Sequence, residues 1–158
     1  MQNQSVLYVR DSLNGAPRVL LDPNSLSKDG SISLKGTFFS KNNKYMGYST
    51  SKSGSDWTEF FIVDLEKNAL IKDHLDWIKF SGMSWHGNGF YYTRYPKPQK
   101  NNQFSGSNEN SKVFYHLLGT SQEADELVFF DPNTPRISPS VSSSNDERFL
   151  FLYRSNGL

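Results

Sequence analysis

A strand-turn-strand pattern returns three times along this chain, and no other feature restricts its fold as much. Phe39-Ser40 leads through Lys41-Asn42-Asn43 to Lys44-Tyr45-Met46-Gly47-Tyr48. Met83-Ser84-Trp85 leads through His86-Gly87-Asn88 to Gly89-Phe90-Tyr91-Tyr92, and Val141-Ser142 leads through Ser144-Asn145-Asp146-Glu147 to Arg148-Phe149-Leu150-Phe151. A short apolar stretch, a polar turn and an aromatic-rich second stretch make an antiparallel hairpin. The first two copies are about 45 residues apart, the spacing of propeller blades built from about four strands. The next interval is longer by roughly 15 residues, and the excess falls in the polar stretch 96–111, a loop inserted between strands. The chain is therefore expected to be a stack of like sheets, all-β, in the form of a partial β-propeller.

Aromatic content agrees. There are 12 Phe, 8 Tyr and 3 Trp, 15% of the residues, and rings of this kind favour strands. The expected organisation is two complete four-stranded antiparallel blades flanked by two half-blades. Residues 1–24 close one blade, 36–72 form a second, 78–130 a third, and 138–158 open a fourth. Within them the strands fall at 6–10 and 18–21; at 36–40, 45–50, 57–65 and 69–72; at 80–85, 90–95, 112–118 and 126–130; and at 138–142 and 147–153. A short turn is expected within 70–77. Residues 60–63, Phe60-Phe61-Ile62-Val63, lack polar alternation, as a strand covered on both faces does. Blades bury their faces only against neighbours, so such an array leaves apolar surface uncovered. The expectation is a piece of something larger.

Net charge is +1, with no block of like charge, which gives no footprint for nucleic acid. No run reaches the ~18 apolar residues of a membrane helix, so no membrane partner is expected. With no cysteine, disulfide frameworks and thiolate metal sites are excluded, without distinguishing cytoplasm from periplasm.

Motifs of catalysis and cofactor binding are weak. His74, His86 and His116 lack the spacing of metal ligands, and no metal or cofactor site is expected. Gly82-Met83-Ser84-Trp85-His86 approximates the Gly-x-Ser-x-Gly elbow of serine hydrolases. That elbow needs its serine on a strand-to-helix turn, whereas Ser84 lies in a strand running into a hairpin. Glycine-rich phosphate loops are absent. Most aromatic side chains are expected to pack between blades, where burial of each is worth about 1.5–3 kcal/mol.

Several segments, taken in order, resemble the start of the propeller domain of the prolyl oligopeptidase (prolyl endopeptidase) family. They are Val6-Leu7-Tyr8-Val9-Arg10-Asp11-Ser12-Leu13, Val19-Leu20-Leu21-Asp22-Pro23-Asn24, Gly54-Ser55-Asp56-Trp57, Lys79-Phe80-Ser81-Gly82-Met83-Ser84-Trp85 and Tyr115-His116-Leu117-Leu118-Gly119-Thr120. The resemblance implies a cytoplasmic or periplasmic serine peptidase that cuts short peptides after proline. It implies an α/β-hydrolase domain of the same parent chain, with its Ser, Asp and His beyond Leu158, so that this chain has no catalytic residue of its own and is inactive alone. The propeller, seven-bladed by this resemblance and with this chain a fragment of it, would gate access to a cavity between the domains. Phe80 matches a family position that lines the pocket for the side chain two residues before the scissile proline. A second pocket position, methionine elsewhere in the family, falls at Ser138. The loop 96–111 matches one that the family uses for substrate access. Two further expectations follow from open blade edges: self-association of the fragment, and, as the alternative function, a stand-alone interaction module completed by pairing of chains.

Overall fold

Aromatic and β-branched runs broken every few residues by Asn, Asp, Gly and Ser suit hairpins, since the rings pack on a pleated surface while the polar residues satisfy turn backbone. The computed structural model, which describes residues 4–98 and 108–155, is built of such hairpins. β1 (Leu7–Val9) and β2 (Arg18–Leu21) form a first hairpin. β3 (Ile32–Phe39), β4 (Tyr45–Lys52), β5 (Thr58–Asp64) and β6 (Ala69–Ile78) form a four-stranded antiparallel meander. β7 (Ser84–His86), β8 (Gly89–Arg94), β9 (Lys112–Leu117) and β10 (Glu126–Phe129) form a second meander. β11 (Ser138–Ser143) and β12 (Leu150–Ser155) form a closing hairpin. Two single-turn 3-10 segments, η1 (Pro23–Ser25) and η2 (Gln122–Ala124), lie between strands.

The repeat is visible atom by atom in two turns 104 residues apart, close enough for Lys41 Nζ to donate to Asn145 Oδ1. In the first, the Ser40 hydroxyl donates to Asn42 Oδ1 and accepts from the Tyr45 amide, with Asn43 at φ 57°. In the second, the Ser144 hydroxyl donates to Asp146 Oδ1 and accepts from the Phe149 amide, with Glu147 at φ 59°. The middle copy is tighter. His86 pairs directly with Gly89 across Gly87-Asn88.

Two apolar layers hold the sheets face to face. Phe60, Ile62, Leu75 and Ile78 of the first meander meet Met83, Trp85, Phe90 and Tyr92 at the second. On the other side of the first meander, Met46, Tyr48 and Val63 pack with Leu7, Leu20 and Leu21 of the first hairpin. β5 is thus sandwiched, Phe60 and Ile62 toward one neighbour and Val63 toward the other, as its unbroken apolar run requires. The closing hairpin is tied on by polar groups. Thr93 Oγ1 donates to Pro139 O, and Ser143 Oγ donates to Trp85 O.

Three boundaries differ most from those read in the sequence. β3 begins at Ile32, four residues before Gly36, because Gln4 bonds both Ile32 O and the Leu34 amide and so secures that end of the strand. β6 runs to Ile78 instead of stopping at Lys72, and no turn interrupts it. Its pairing with β5 shifts register twice. At the second shift Asp76 and Trp77 together oppose Glu59, a bulge, with Trp77 at φ 57°; such an insertion scrambles the period that would mark a strand. Finally, β7 begins at Ser84, so Phe80 lies outside it.

Candidate functional site

The meanders are joined by Lys79-Phe80-Ser81-Gly82-Met83, a connection carrying the residue singled out from the sequence. Phe80 has φ 53° and is 65% exposed. A left-handed backbone at a bulky residue is a genuine outlier, and such strain collects at functional sites. Three neighbours hold it. The Lys79 side chain is turned inward, only 8% of the residue exposed, with Nζ donating to Asn108 Oδ1 at 3.1 Å and lying 4.4 Å from the Trp57 ring centroid. The Ser81 hydroxyl donates to Gly82 O and accepts from the Thr93 amide at 2.8 Å. That second bond replaces a ladder contact: β7 is three residues long and β8 six, so part of β8 has no strand partner on that side, and buried amides demand one. A Cβ on Gly82 would lie 2.7 Å from the Phe38 ring, so only glycine lets the connection pass so close to β3.

Phe80 stands between two cavities. One, of about 350 Å³, is bounded by Phe38, Phe39, Met83, Trp85 and β11. The other, of about 400 Å³, is bounded by Phe38, Lys35, Asp56 and Thr58. Phe38, Phe80, Ser81 and Gly82 line both. Ser138 lines neither; its hydroxyl faces that of Tyr95 at 3.3 Å. Ser84 is a structural residue, its hydroxyl accepting from the Ser143 amide at 2.7 Å and joining β7 to β11. Of the loop 96–111, residues 99–107 lie outside the described residues.

Beside this site is an aromatic group that sequence reasoning did not assemble. Trp57 and Trp77 meet edge to face, centroids 5.5 Å apart, Tyr95 lies at 6.4 Å from Trp57, and Lys97 is 5.4 Å from the Trp77 ring. The Trp77 indole nitrogen is buried without a hydrogen-bond partner among the described residues. Trp57 belongs to the Gly54-Ser55-Asp56-Trp57 segment, a signal in the sequence; Trp77 gave none, because only the bulge in β6 places it there.

A second polar cluster lies in the seam between the meanders, with His116 at its centre. Its Nδ1 is 2.6 Å from Asp125 Oδ1 and its Nε2 3.2 Å from Asp73 Oδ2. The Tyr92 hydroxyl donates to Asp125 Oδ2 at 2.5 Å, and the Gly119 amide donates to Asp73 Oδ2 at 2.7 Å. Burial opposes charge on the imidazole, yet its hydrogen bonds to Asp125 and Asp73 and their negative charges outweigh it and raise its pKa above the ordinary histidine value. Next to the cluster the Gln122 amide closes on the bulge of β6: Nε2 donates to Asp76 O, and Oε1 accepts from the Asp76 amide.

Antiparallel meanders stacked face to face, with an exposed aromatic on the connection between them, define an all-β protein of the propeller class. The whole chain, residues 1–158, matches the model of the prolyl oligopeptidase N-terminal beta-propeller domain. A prolyl endopeptidase of Elizabethkingia meningoseptica is 39% identical over 157 residues, covering 99% of this chain and 22% of that protein. A prolyl endopeptidase of Dictyostelium discoideum is 34% identical, covering 95% of this chain and 26% of its own length. Among solved structures, one from a mechanistic study of two prolyl endopeptidases superposes with a TM-score of 0.86 at 34% identity, over 98% of this chain and 22% of that one. Prolyl oligopeptidase B from Galerina marginata, bound to a 25mer macrocyclization substrate, gives 0.88 at 29% identity, over 98% of this chain and 24% of that one. The chain belongs to the prolyl oligopeptidase family, within its N-terminal propeller domain, and spans less than a quarter of the Elizabethkingia relative.

Proposed function

We propose that this chain is the opening part of the propeller of a serine peptidase that cuts short peptides after proline, acting in the cytoplasm or periplasm. In this reading the two meanders, 32–78 and 84–129, are complete blades, and the hairpins 7–21 and 138–155 are halves of two more. The catalytic Ser, Asp and His belong to an α/β-hydrolase domain of the parent chain, and the ring restricts which peptides reach them. The chain contributes a wall, not a reacting group.

The observation that carries this reading is the Phe80 ring, exposed on a strained backbone between two cavities. A protein holds a large ring in that posture against both solvent and steric preference when the ring meets something. For a peptide side chain two residues before proline, an aromatic wall is worth about 0.5–1.5 kcal/mol beyond area burial, roughly 2–12-fold in kcat/KM. Phe80→Ala in the full-length parent should lower kcat/KM by that factor for a peptide with a large apolar residue at that position and leave its glycine counterpart unchanged. Equal losses on both peptides would remove the assignment. The 158-residue chain alone should hydrolyse neither peptide.

Alone, the chain also presents Phe149, Phe151, Leu152 and Tyr153 on or beside the edge strand β12, all exposed. An apolar edge of this kind supports self-association, which light scattering would register as a mass above that of one chain.

A further inference from the structure

His116 is fully buried and its two ring nitrogens each face a carboxylate oxygen. A neutral imidazole carries one N–H and can donate to one of them only; the other nitrogen would then direct its lone pair at an anion. With both carboxylates ionised, both contacts are hydrogen bonds only when the ring is an imidazolium. We propose that His116 is a proton-operated latch on the seam between the two meanders: charged, it joins Asp73 of β6 to Asp125 beyond η2, and uncharged, it releases the segment 118–125 from β6.

The groups around the ring come from every element packed on it. β6 contributes Asp73, and the segment after η2 contributes Asp125. β8 contributes the Tyr92 phenol, hydrogen-bonded to Asp125, with Arg94 further along exerting its charge on that phenol, while the Phe90 ring packs against the imidazole at 5.3 Å. Protonated, the cluster holds one cation between two anions; the second oxygen of Asp125 takes the Tyr92 hydroxyl, and the Gly119 amide shares Asp73 Oδ2 with the ring. Deprotonated, the ring offers its single N–H to one of two buried anions and turns a bare lone pair toward the other, and a buried charge that loses a partner is strongly unfavourable.

What the latch holds is the end of β6. Gln122 lies between Gly119 and Asp125, and its amide grips both backbone groups of Asp76 in the bulge. Trp77, Lys79 and Phe80 follow immediately. Opening the seam at His116 therefore loosens the support beneath the connection that carries Phe80. The sign is definite: the clamp is complete at low pH and is lost as pH rises through the elevated histidine value.

Amide hydrogen exchange of this chain, expressed as protection factors so that intrinsic base catalysis cancels, tests the latch. Between pH 6 and pH 9 the protection of amides 119–125 should fall by about tenfold or more, the equivalent of one pKa unit of coupling. In Asp125→Asn the amide nitrogen can donate to a bare Nδ1 while the amide oxygen still accepts from Tyr92, so a neutral ring satisfies the whole cluster and protection should stay high and flat with pH. His116→Gln should hold the low level at every pH. Wild-type protection that does not change with pH, or an unaltered slope in Asp125→Asn, would overturn the proposal. So would imidazole ¹⁵N shifts showing a neutral His116 at pH 6.

Discussion

A Cβ on Gly89 would lie 2.1 Å from the carbonyl oxygen of His116, so β8 and β9 approach more closely there than any side chain allows. The obstacle is backbone on one side and the Tyr115 ring on the other, neither of which can swing aside. Gly89→Ala should therefore cost about 1–3 kcal/mol or more through overpacking. Urea denaturation followed by far-UV circular dichroism would show it as a lowered midpoint with an unchanged slope.

Trp85 joins the meanders through one directional bond as well as through its ring. Its indole N–H donates to Phe38 O at 3.0 Å, and the ring contacts Phe90 at 5.3 Å edge to face. Trp85→Phe keeps most of the apolar surface and removes the donor to the Phe38 carbonyl, a loss of about 0.5–1.5 kcal/mol. Comparison with Trp85→Leu by the same denaturation assay separates the bond from the ring; equal midpoints for Trp85→Phe and wild type would show that the bond contributes nothing.

Phe60 and Phe80 are chemically identical and should respond oppositely. Phe60 is fully buried among Phe38, Phe90 and Tyr92, so Phe60→Ala should cost about 3–5 kcal/mol. Phe80 buries little and strains its backbone, and Phe80→Gly relieves a left-handed conformation that costs an L-residue roughly 1–2 kcal/mol. That variant should melt no lower than wild type in a thermal scan.

Tyr92 sets an alkaline limit. Burial, and after it the hydrogen bond to Asp125 and that residue's charge, push its phenol far above the ordinary tyrosine value. The protonated phenol is thus favoured by the fold: its stabilisation is complete below the unfolded value of about 10 and declines as pH rises past it. Tyr92→Phe should lose about 1–3 kcal/mol near neutrality by leaving a buried carboxylate short of a donor. It should also show a shallower fall in denaturation midpoint above pH 10 than wild type.

The recurrence of hairpins was legible because period-2 apolar patterning and turn chemistry are local. Ser40-x-Asn42-Asn43 and Ser144-x-Asp146-Glu147 announce the same turn, and the run Phe60 to Val63 announces a strand covered on both faces. The end of β6 was not legible. A two-against-one bulge interrupts the alternation on which a strand is recognised, and the left-handed Trp77 can form only where β5 and η2 support it. Phe80 was singled out by resemblance, while its posture was not, since neither the strand length of β7 nor the Ser81 hydroxyl that replaces a ladder contact has a signature in sequence.

By itself, then, the order of residues determined an all-β chain of repeating meanders and the family to which it belongs, because hydrophobic period and turn type act over a few residues. Tertiary structure decided which distant groups share one low-dielectric environment. Asp73 and His116 are separated by 43 residues, and only the stacking of one sheet on the next excludes water from both and makes the charge of one a condition for burying the other.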